Sequence, residues 1–265
     1  MHSIVTLLTD FGLQDSYVGQ VKGAILAVDR RIQVVDLCHA VPPQNVLSGA
    51  FELRRGVEPF PEGTVHVAVV DPGVGTDRRI VAVRANGHYF VAPDNGLLSW
   101  ILADLPVDAV VEVSDPKYWR REVSATFHGR DIMGPVGAHL ATGEPLHQFG
   151  PEIDAADLRL LDERVLESQA DIGRASVSVL HVDRFGNVVL SVRGPAPRWS
   201  RASVRTGAHA HVAQVVRCYG EAPVGQLVLL VGSSGYWELA VVGGAAAELL
   251  EVQPGDLLDL EEMRG

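Results

Sequence analysis

Three short polar motifs in the first half of the chain hold the side chains best suited to chemistry. They are Thr9–Gly12, Asp71–Thr76 and Thr126–Asp131. In open α/β sheets, ligands bind just beyond the carboxyl ends of the strands, and Asp10 and Asp71 each follow an apolar, strand-like run. A carboxylate there can accept hydrogen bonds from a ribose diol or orient a charged group. Either aspartate alone fits a helix cap or a turn equally well, but two of them beside glycine turns favour a ligand site.

Two further residues extend this candidate site. Arg78 stands seven residues after Asp71, so it either turns back to pair with that carboxylate or extends into solvent as a loop arginine. His128 precedes an expected helix start and can serve as a base, a hydrogen-bond donor or a packed core group. Pro72–Gly75 allows close backbone approach to a ligand, but it matches neither the GxGxxG nor the GxxxxGK[ST] pattern. Dinucleotide and ATP-phosphate binding are therefore not indicated.

The second half of the chain offers weaker signals. Asp183–Asn187 interrupts two apolar runs and reads as a hairpin turn or as part of a site. Ser233–Glu238 is a polar break with hydroxyl donors and an aromatic face, and Gly243–Ala247 is small enough for a flat ring to lie against the backbone. By themselves these residues name no substrate.

Alternating strands and helices must position the first set of motifs. The pattern predicts an α/β domain with a mostly parallel sheet over residues 1–160, and a β-hairpin around Asn86-Gly87. The expected strands cover residues 4–8, 32–37, 65–70, 80–83, 88–91 and 109–113, and the expected helices cover 15–28, 45–56 and 97–105.

The character of the chain changes beyond a turn-rich acidic segment. Residues 172–265 are almost wholly strand-like, with Gly and Pro at short intervals, which predicts a small antiparallel barrel or sandwich. The expected strands cover residues 175–182, 188–192, 211–218, 227–231 and 239–242.

Composition narrows the class of function. With 22 basic and 33 acidic residues the formal charge is −11, which argues against a nucleic-acid partner. The two cysteines, Cys38 and Cys218, are expected to be free thiols, and without a CxxC or HExxH pattern no metal site is expected. No apolar run approaches the ~20 residues of a membrane span, and the chain starts directly in a strand-like run without a leader. These features predict a cytoplasmic protein with no membrane association.

Five motifs together resemble a known family. The chain is similar to the S-adenosylmethionine (SAM) hydrolases that form adenosine, which are hydroxide adenosyltransferase relatives of the bacterial fluorinase and chlorinase. The resemblance covers nearly the whole chain. The motifs, in order, are TDFGxxDxxVGxxKG (Thr9–Gly23), VVDPGVGTxRR (Val69–Arg79), TFHGRD (Thr126–Asp131), DxFGN (Asp183–Asn187) and SSGYxE (Ser233–Glu238).

The resemblance implies an N-terminal α/β domain, a C-terminal β-barrel and a homotrimer. In such a trimer the ligand lies between one subunit's N-terminal domain and its neighbour's C-terminal domain. SAM is then the substrate, with no cofactor and no metal. Asp71, Arg78 and His128 would be the catalytic residues that hold water or hydroxide for in-line attack on the ribose C5′ carbon.

The same resemblance implies ligand contacts for nine other residues. Asp10 would bind the ribose hydroxyls, and the backbone near Ala245 and Ala246 would read the adenine edge. The methionine end would be held by Asp15, Asp183 and Ser233 or Ser234, and the adenosine site would be lined by Phe185 and Asn187.

Two alternatives stay open. A halide-dependent adenosyltransferase is disfavoured because the halogenase pattern places a tyrosine where Asp71 stands, and because Gly129 offers no hydroxyl to a halide. The second alternative is a trimer that binds SAM or adenosine without turnover. The adenine pocket departs from relatives, since Ala245 replaces a serine and Val189 replaces an aromatic residue.

Overall fold

A six-stranded sheet with helices on both faces forms the first half of the protein. The computed structural model describes residues 3–162, 173–207 and 209–263, and the chain divides into two units, Met1–Leu160 and Leu161–Gly265. The predicted domain limits at residues 172 and 265 lie outside the described residues. Within the described part, no helix is both long and apolar enough to cross a membrane.

The sheet of the first unit has the strand order β2-β1-β3-β5-β4-β6. Five of its strands are parallel and β4 is antiparallel to both neighbours, which confirms the predicted mostly parallel α/β class. The strands are β1 Ile4–Thr9, β2 Gln33–Cys38, β3 Val65–Val69, β4 Ile80–Ala85, β5 His88–Pro93 and β6 Val107–Glu112. The helices are α1 Tyr17–Val28, α2 Val46–Val57, α3 Ser99–Asp104 and α4 Gly134–Ala141.

Burial explains why these segments form layers. Every residue of β3 is buried, as expected for a central strand covered on both faces. Helices α1 and α4 bury Val21, Ile25 and Val136 against one face of the sheet. Gly137 lets α4 approach β3 closely, since a Cβ there would overlap the side chain of Val67. On α2, the Asn45 side chain accepts a hydrogen bond from Ser48 N at 2.9 Å and so caps the helix.

The predicted hairpin joins β4 and β5. Asn86 and Gly87 both have positive φ values, 47° and 77°, and Ala85 pairs with His88 across the turn. Two consecutive positive φ values characterise the two-residue turn that Asn-Gly favours. The hairpin explains why β4 runs against the rest of the sheet.

The second unit is a closed seven-stranded barrel in the order β10-β11-β12-β8-β7-β13-β9, which confirms the predicted barrel. All pairs are antiparallel except β10 with β11. Alternate residues fill its interior, among them Val177, Leu190 and Leu239. The elements are β7 Arg174–Val182, β8 Val188–Arg193, β9 Arg201–Thr206, β10 His209–Val215, β11 Leu227–Val231, β12 Tyr236–Val241, α5 Ala246–Leu250 and β13 Leu257–Glu262.

The sequence pattern missed two strands of the barrel and misplaced one strand start. β9 and β13 were not predicted because each buries only one face: β9 buries Ala202 and Val204 between exposed or half-exposed polar residues. The polar break expected over Ser233–Glu238 is shorter than predicted. Tyr236 and the two residues after it already belong to β12 and are buried.

A pair of histidines is buried in the sheet of the first unit. His66 Nδ1 lies 2.7 Å from Thr6 Oγ1, and His66 Nε2 lies 3.2 Å from His88 Nδ1. The His66 ring also stacks on Phe90 with 5.1 Å between ring centroids. Burial, followed by the neighbouring His88, lowers the pKa of His66 to about 3. The folded protein therefore holds His66 neutral.

We expect this histidine to make the first unit sensitive to acid. An unfolded histidine has a pKa near 6.5, so above that pH neither state binds the proton and stability is complete. As the pH falls from 6.5 towards 3, only the unfolded state takes up the proton, and the free energy of unfolding drops by about 4 kcal/mol. Denaturant unfolding at pH 4 to 7 measures this slope. His66→Phe keeps an aromatic ring but cannot take up a proton, so it should reduce the dependence of unfolding free energy on pH. His147→Phe, at an exposed histidine, should leave that dependence unchanged.

Candidate active site

The two aspartates expected at strand ends lie at the same edge of the sheet. Asp10 directly follows β1 and Asp71 follows β3 by two residues. Strands β1 and β3 are parallel neighbours, with Thr9 paired to Val69. Their carboxyl ends therefore meet, and the loops that follow them share one surface.

Asp71 and Arg78 form a buried, bidentate ion pair. Arg78 Nε donates to both Asp71 oxygens at 2.8 Å, and Arg78 Nη2 donates to Asp71 Oδ2. Only 4% of the Asp71 side chain and 6% of the Arg78 side chain are exposed. Arg78 thus turns back onto Asp71 rather than extending into solvent. Desolvating both charges is costly, and the parallel hydrogen bonds offset much of that cost.

His128 completes the arrangement through the same guanidinium. Arg78 Nη2 lies 2.9 Å from His128 Nδ1. Arginine can only donate, so Nδ1 accepts, and the proton of the neutral imidazole is on Nε2. Burial, followed by the charge of Arg78, lowers the pKa of His128. The set therefore presents a neutral histidine beside a fixed positive charge.

Asp10 and Asp15 differ in how firmly they are held. Asp10 Oδ2 accepts a hydrogen bond from Gln44 N at 2.7 Å, which ties the end of β1 to the loop before α2. Asp15 is exposed and lies just before α1. Near it, Phe11, Tyr17 and Phe127 pack edge to face, with centroid distances of 5.5 to 5.9 Å. This aromatic cluster connects the first motif to the loop that carries the catalytic candidate histidine.

In the second unit, Asp183 builds the turn between β7 and β8. Its Oδ1 accepts from Phe185 N at 2.8 Å and Asn187 N at 2.9 Å, and its Oδ2 accepts from Asn187 Nδ2 at 2.9 Å. The hairpin-turn interpretation is therefore confirmed. Phe185 is 76% exposed. Gly186 packs on Ala245, where a Cβ would approach the alanine Cβ to 2.5 Å.

The other expected ligand residues of this unit fall into two places. Ala246 begins α5 and is fully buried, its backbone included, in the barrel core. Ser233 and Ser234 lie in the turn between β11 and β12. In that turn, Gly235 O accepts a hydrogen bond at 3.0 Å from the N–H of Gly194, the residue after β8. The Asp183 turn lies at the other end of β8, directly before the strand. The expected ligand residues of the second unit thus lie in two turns, at opposite ends of β8, and at the start of α5.

No group of three or more His, Cys, Asp or Glu side chains is arranged to hold a metal ion within residues 3–162, 173–207 and 209–263.

Comparison with known proteins assigns both units to one family. The sequence model of the SAM hydroxide adenosyltransferase N-terminal domain matches residues 5–150, and that of the C-terminal domain matches residues 177–259. The chain belongs to the SAM hydroxide adenosyltransferase family. The resemblance drawn from the five motifs is therefore confirmed.

Relatives of the SAM hydroxide adenosyltransferase chain match over most of its length. A protein of Salinispora arenicola named (R)-S-adenosyl-L-methionine hydrolase is 41% identical, over 96% of each chain. A Nocardia brasiliensis protein named fluorinase is 30% identical, over 70% of this chain and 69% of its own. A crystal structure of an uncharacterized conserved protein from Thermotoga maritima superposes with a TM-score of 0.89, at 32% identity, over 97% of this chain and 100% of its own.

Two residues that position this SAM hydroxide adenosyltransferase site received no role from the sequence. Asp131 is fully buried and binds Arg120, Arg130 and Ser124 N at 2.7 to 3.1 Å, which fixes the loop before His128. Burial alone would raise the pKa of Asp131, but the hydrogen bonds from Arg130 and Ser124 outweigh it and the pKa is lowered. Asn95 Nδ2 donates to Val70 O, beside Asp71, at 2.9 Å. Asp131 stands inside the TFHGRD motif, which was the available signal.

Gly75 holds the Asp71–Arg78 loop against the His128 loop. Its φ is +81°, and a Cβ there would overlap the carbonyl oxygen of Ala125. Gly75→Ala should therefore add steric overlap to backbone strain. Gly12→Ala is a matched control, because Gly12 also has a positive φ, +66°, but faces open space.

We expect Gly75→Ala to lower the free energy of unfolding by about 2 kcal/mol more than Gly12→Ala does, since only the first variant must displace backbone. Denaturant titration followed by tryptophan fluorescence measures both. Equal losses would contradict close packing of the two loops.

Proposed function

We propose that this protein hydrolyses SAM at the ribose C5′ carbon and releases adenosine and methionine. The observation that carries the proposal is the buried Asp71–Arg78–His128 set at the carboxyl edge of the sheet. In this family, the Salinispora relative is named for the same reaction class. SAM is the substrate, and the reaction needs no cofactor.

The chemistry of the substrate explains why such a set suffices. A new C5′–O bond forms while the C5′–S bond breaks, and its electron pair neutralises the sulfonium, so the leaving group needs no acid. The water also loses one proton, which passes to solvent, so the products are adenosine, methionine and one proton. Bulk water has a pKa near ~15.7, so the difficulty is to present a hydroxide-like nucleophile. We assign that task to Arg78 and to His128 Nε2–H, both of which donate hydrogen bonds and favour an anion.

The remaining ligand contacts are assigned from the family pattern. We assign Asp10 to the ribose hydroxyls and the backbone of Ala246 to the adenine edge. The other assignments follow the family pattern: Asp15, Asp183, Ser233 and Ser234 to the methionine end, and Phe185 and Asn187 to the adenosine. Holding C5′ in line with the nucleophile supplies much of the rate, since effective molarities reach ~10⁵ M or more.

A halide-dependent transfer is the second candidate, because one relative is named fluorinase. The site disfavours it. Both oxygens of Asp71 accept hydrogen bonds from Arg78. A Cβ at Gly129 would come within 3.1 Å of the Val69 side chain, so a halide-binding side chain at that position has little room. A binding protein without turnover is the third candidate, and the same assay separates all three.

Asp71→Asn tests the proposal. The change keeps the shape of the side chain but removes the charge that Arg78 pairs with, so we expect adenosine formation to fall by at least about 100-fold. Asp108→Asn is the control, because it neutralises an aspartate of an exposed Arg–Asp pair, with Arg84, and should leave the rate unchanged. Chromatography of SAM incubated with each protein, with and without chloride, measures adenosine and methionine.

Formation of adenosine by the wild-type protein without chloride supports hydrolysis. Strict dependence on chloride with formation of 5′-chloro-5′-deoxyadenosine would establish the halide alternative. Tight adenosine binding with no product at all would establish the binding protein. Circular dichroism of Asp71→Asn shows whether the variant is folded, and His128→Gln provides a second test at the same set.

We also propose that the protein works in the cytoplasm as a homotrimer in which each site joins one copy's first unit to a neighbour's second unit. The free thiols of Cys38 and Cys218 suit a reducing compartment. The family pattern supports the trimer, as does the division of the expected ligand residues between the two units.

Complementation tests the shared site. Asp71→Asn and Asn187→Ala each disable a different unit, so each variant alone should be inactive. Co-expression forms mixed trimers, and some of their sites combine an intact first unit with an intact second unit. We expect activity to return to roughly a quarter of the wild-type level. Light scattering should give a mass of three 28.5 kDa chains, and a monomeric mass or absent complementation would contradict the trimer.

A further inference from the structure

A chain of polar side chains, buried at its inner end and exposed at its outer end, lies beside the turn that carries Asp10, and the mechanism above does not use it. Thr9 Oγ1 lies 2.8 Å from His39 Nδ1, and His39 Nε2 lies 3.0 Å from Asp36 Oδ1. At its outer end Lys22 Nζ donates to Asp36 Oδ2 at 2.7 Å. At its inner end Phe11 N donates to Thr9 Oγ1 at 3.2 Å. Thr9 and His39 are both buried.

With His39 as a neutral imidazole, every hydrogen bond in this chain has one allowed direction. Burial alone would raise the pKa of Asp36, but hydrogen bonds from His39 and Lys22 outweigh it and the pKa is lowered, so Asp36 is an acceptor. His39 Nε2 therefore donates to it. Because Phe11 N already donates to Thr9 Oγ1, the threonine hydroxyl is free to donate its own proton to His39 Nδ1. The result is a fully satisfied relay with a single tautomer at His39.

The same histidine residue holds the turn through its backbone. Gly12 N donates to His39 O at 2.8 Å, on the far side of Asp10 from Thr9. Asp10 itself is fixed by Gln44 N, five residues after His39. The segment from His39 to Gln44 thus forms hydrogen bonds with Thr9, Asp10 and Gly12.

We propose that His39 is a positioning residue for nucleoside binding: held by Asp36, it fixes Thr9 and the following turn so that the Asp10 carboxylate meets the ribose diol. This inference rests on the role of Asp10 in the proposed function. It adds that ribose recognition depends on a buried hydroxyl and imidazole that never touch the ligand.

The test uses binding of two nucleosides to the full-length protein. Adenosine carries the ribose diol, and 2′,3′-dideoxyadenosine lacks it. Thr9→Val keeps the side-chain shape and removes the hydroxyl, whereas Thr9→Ser keeps the hydroxyl. We expect Thr9→Val to weaken adenosine binding about tenfold and to leave 2′,3′-dideoxyadenosine binding unchanged, measured by titration calorimetry. Thr9→Ser should bind both nucleosides as the wild type does.

His39→Asn is the second variant, since its amide oxygen can still accept from Thr9 while the contact with Asp36 is lost. We expect it to fall between the wild type and Thr9→Val for adenosine alone. Equal weakening of both nucleosides would mean a general structural role and overturn the proposal, as would unchanged adenosine binding by Thr9→Val. A wild-type protein that binds both nucleosides equally would also overturn it. Failure of the SAM assay is a separate result, because this experiment requires no turnover.

Discussion

A carboxylate and a guanidinium can be buried together only while each satisfies the other, and this requirement governs the edge of the sheet where Asp71 meets Arg78. Strand β3 fixes one partner of the pair. Arg78, the other partner, lies in the loop between β3 and β4, which must bring it back to Asp71. Close packing of Gly75 against Ala125 holds this loop in place. The position of the ion pair thereby determines the position of the loop that precedes His128.

The pair also sets the electrical character of the edge. Burial, together with an Arg78 guanidinium shared between a carboxylate and an imidazole, keeps His128 neutral without leaving an unpaired charge. Asp131 repeats the same principle a few residues away, where two arginines surround one buried carboxylate. Each buried aspartate at this edge is therefore held by hydrogen bonds from arginines, and these bonds restrain the loops that carry the arginines.

The sequence predicted most of this fold because the decisive patterns were strong. The almost wholly apolar β3 and the Asn86-Gly87 turn each indicate one structure, and the acids after β1 and β3 follow from the rule for strand ends. Strands β9 and β13 escaped prediction because half of each faces outward, so their apolar residues are few. The role of His39 escaped it because its partner is distant in sequence: Thr9 and His39 are 30 residues apart. Such contacts exist only once the chain has folded.

The reversed direction of β4 has a consequence for how this surface can vary. Since β4 runs against β3, the segment from Asp71 to Arg79 leaves and re-enters the sheet at one edge. The length and side chains of such a segment can change without altering the pairing of any strand, provided that the Asp71–Arg78 pair and the contact of Gly75 with Ala125 are kept. The entropy of closing a loop grows only slowly with its length. The same scaffold can therefore accept a different nucleophile through changes in one short stretch.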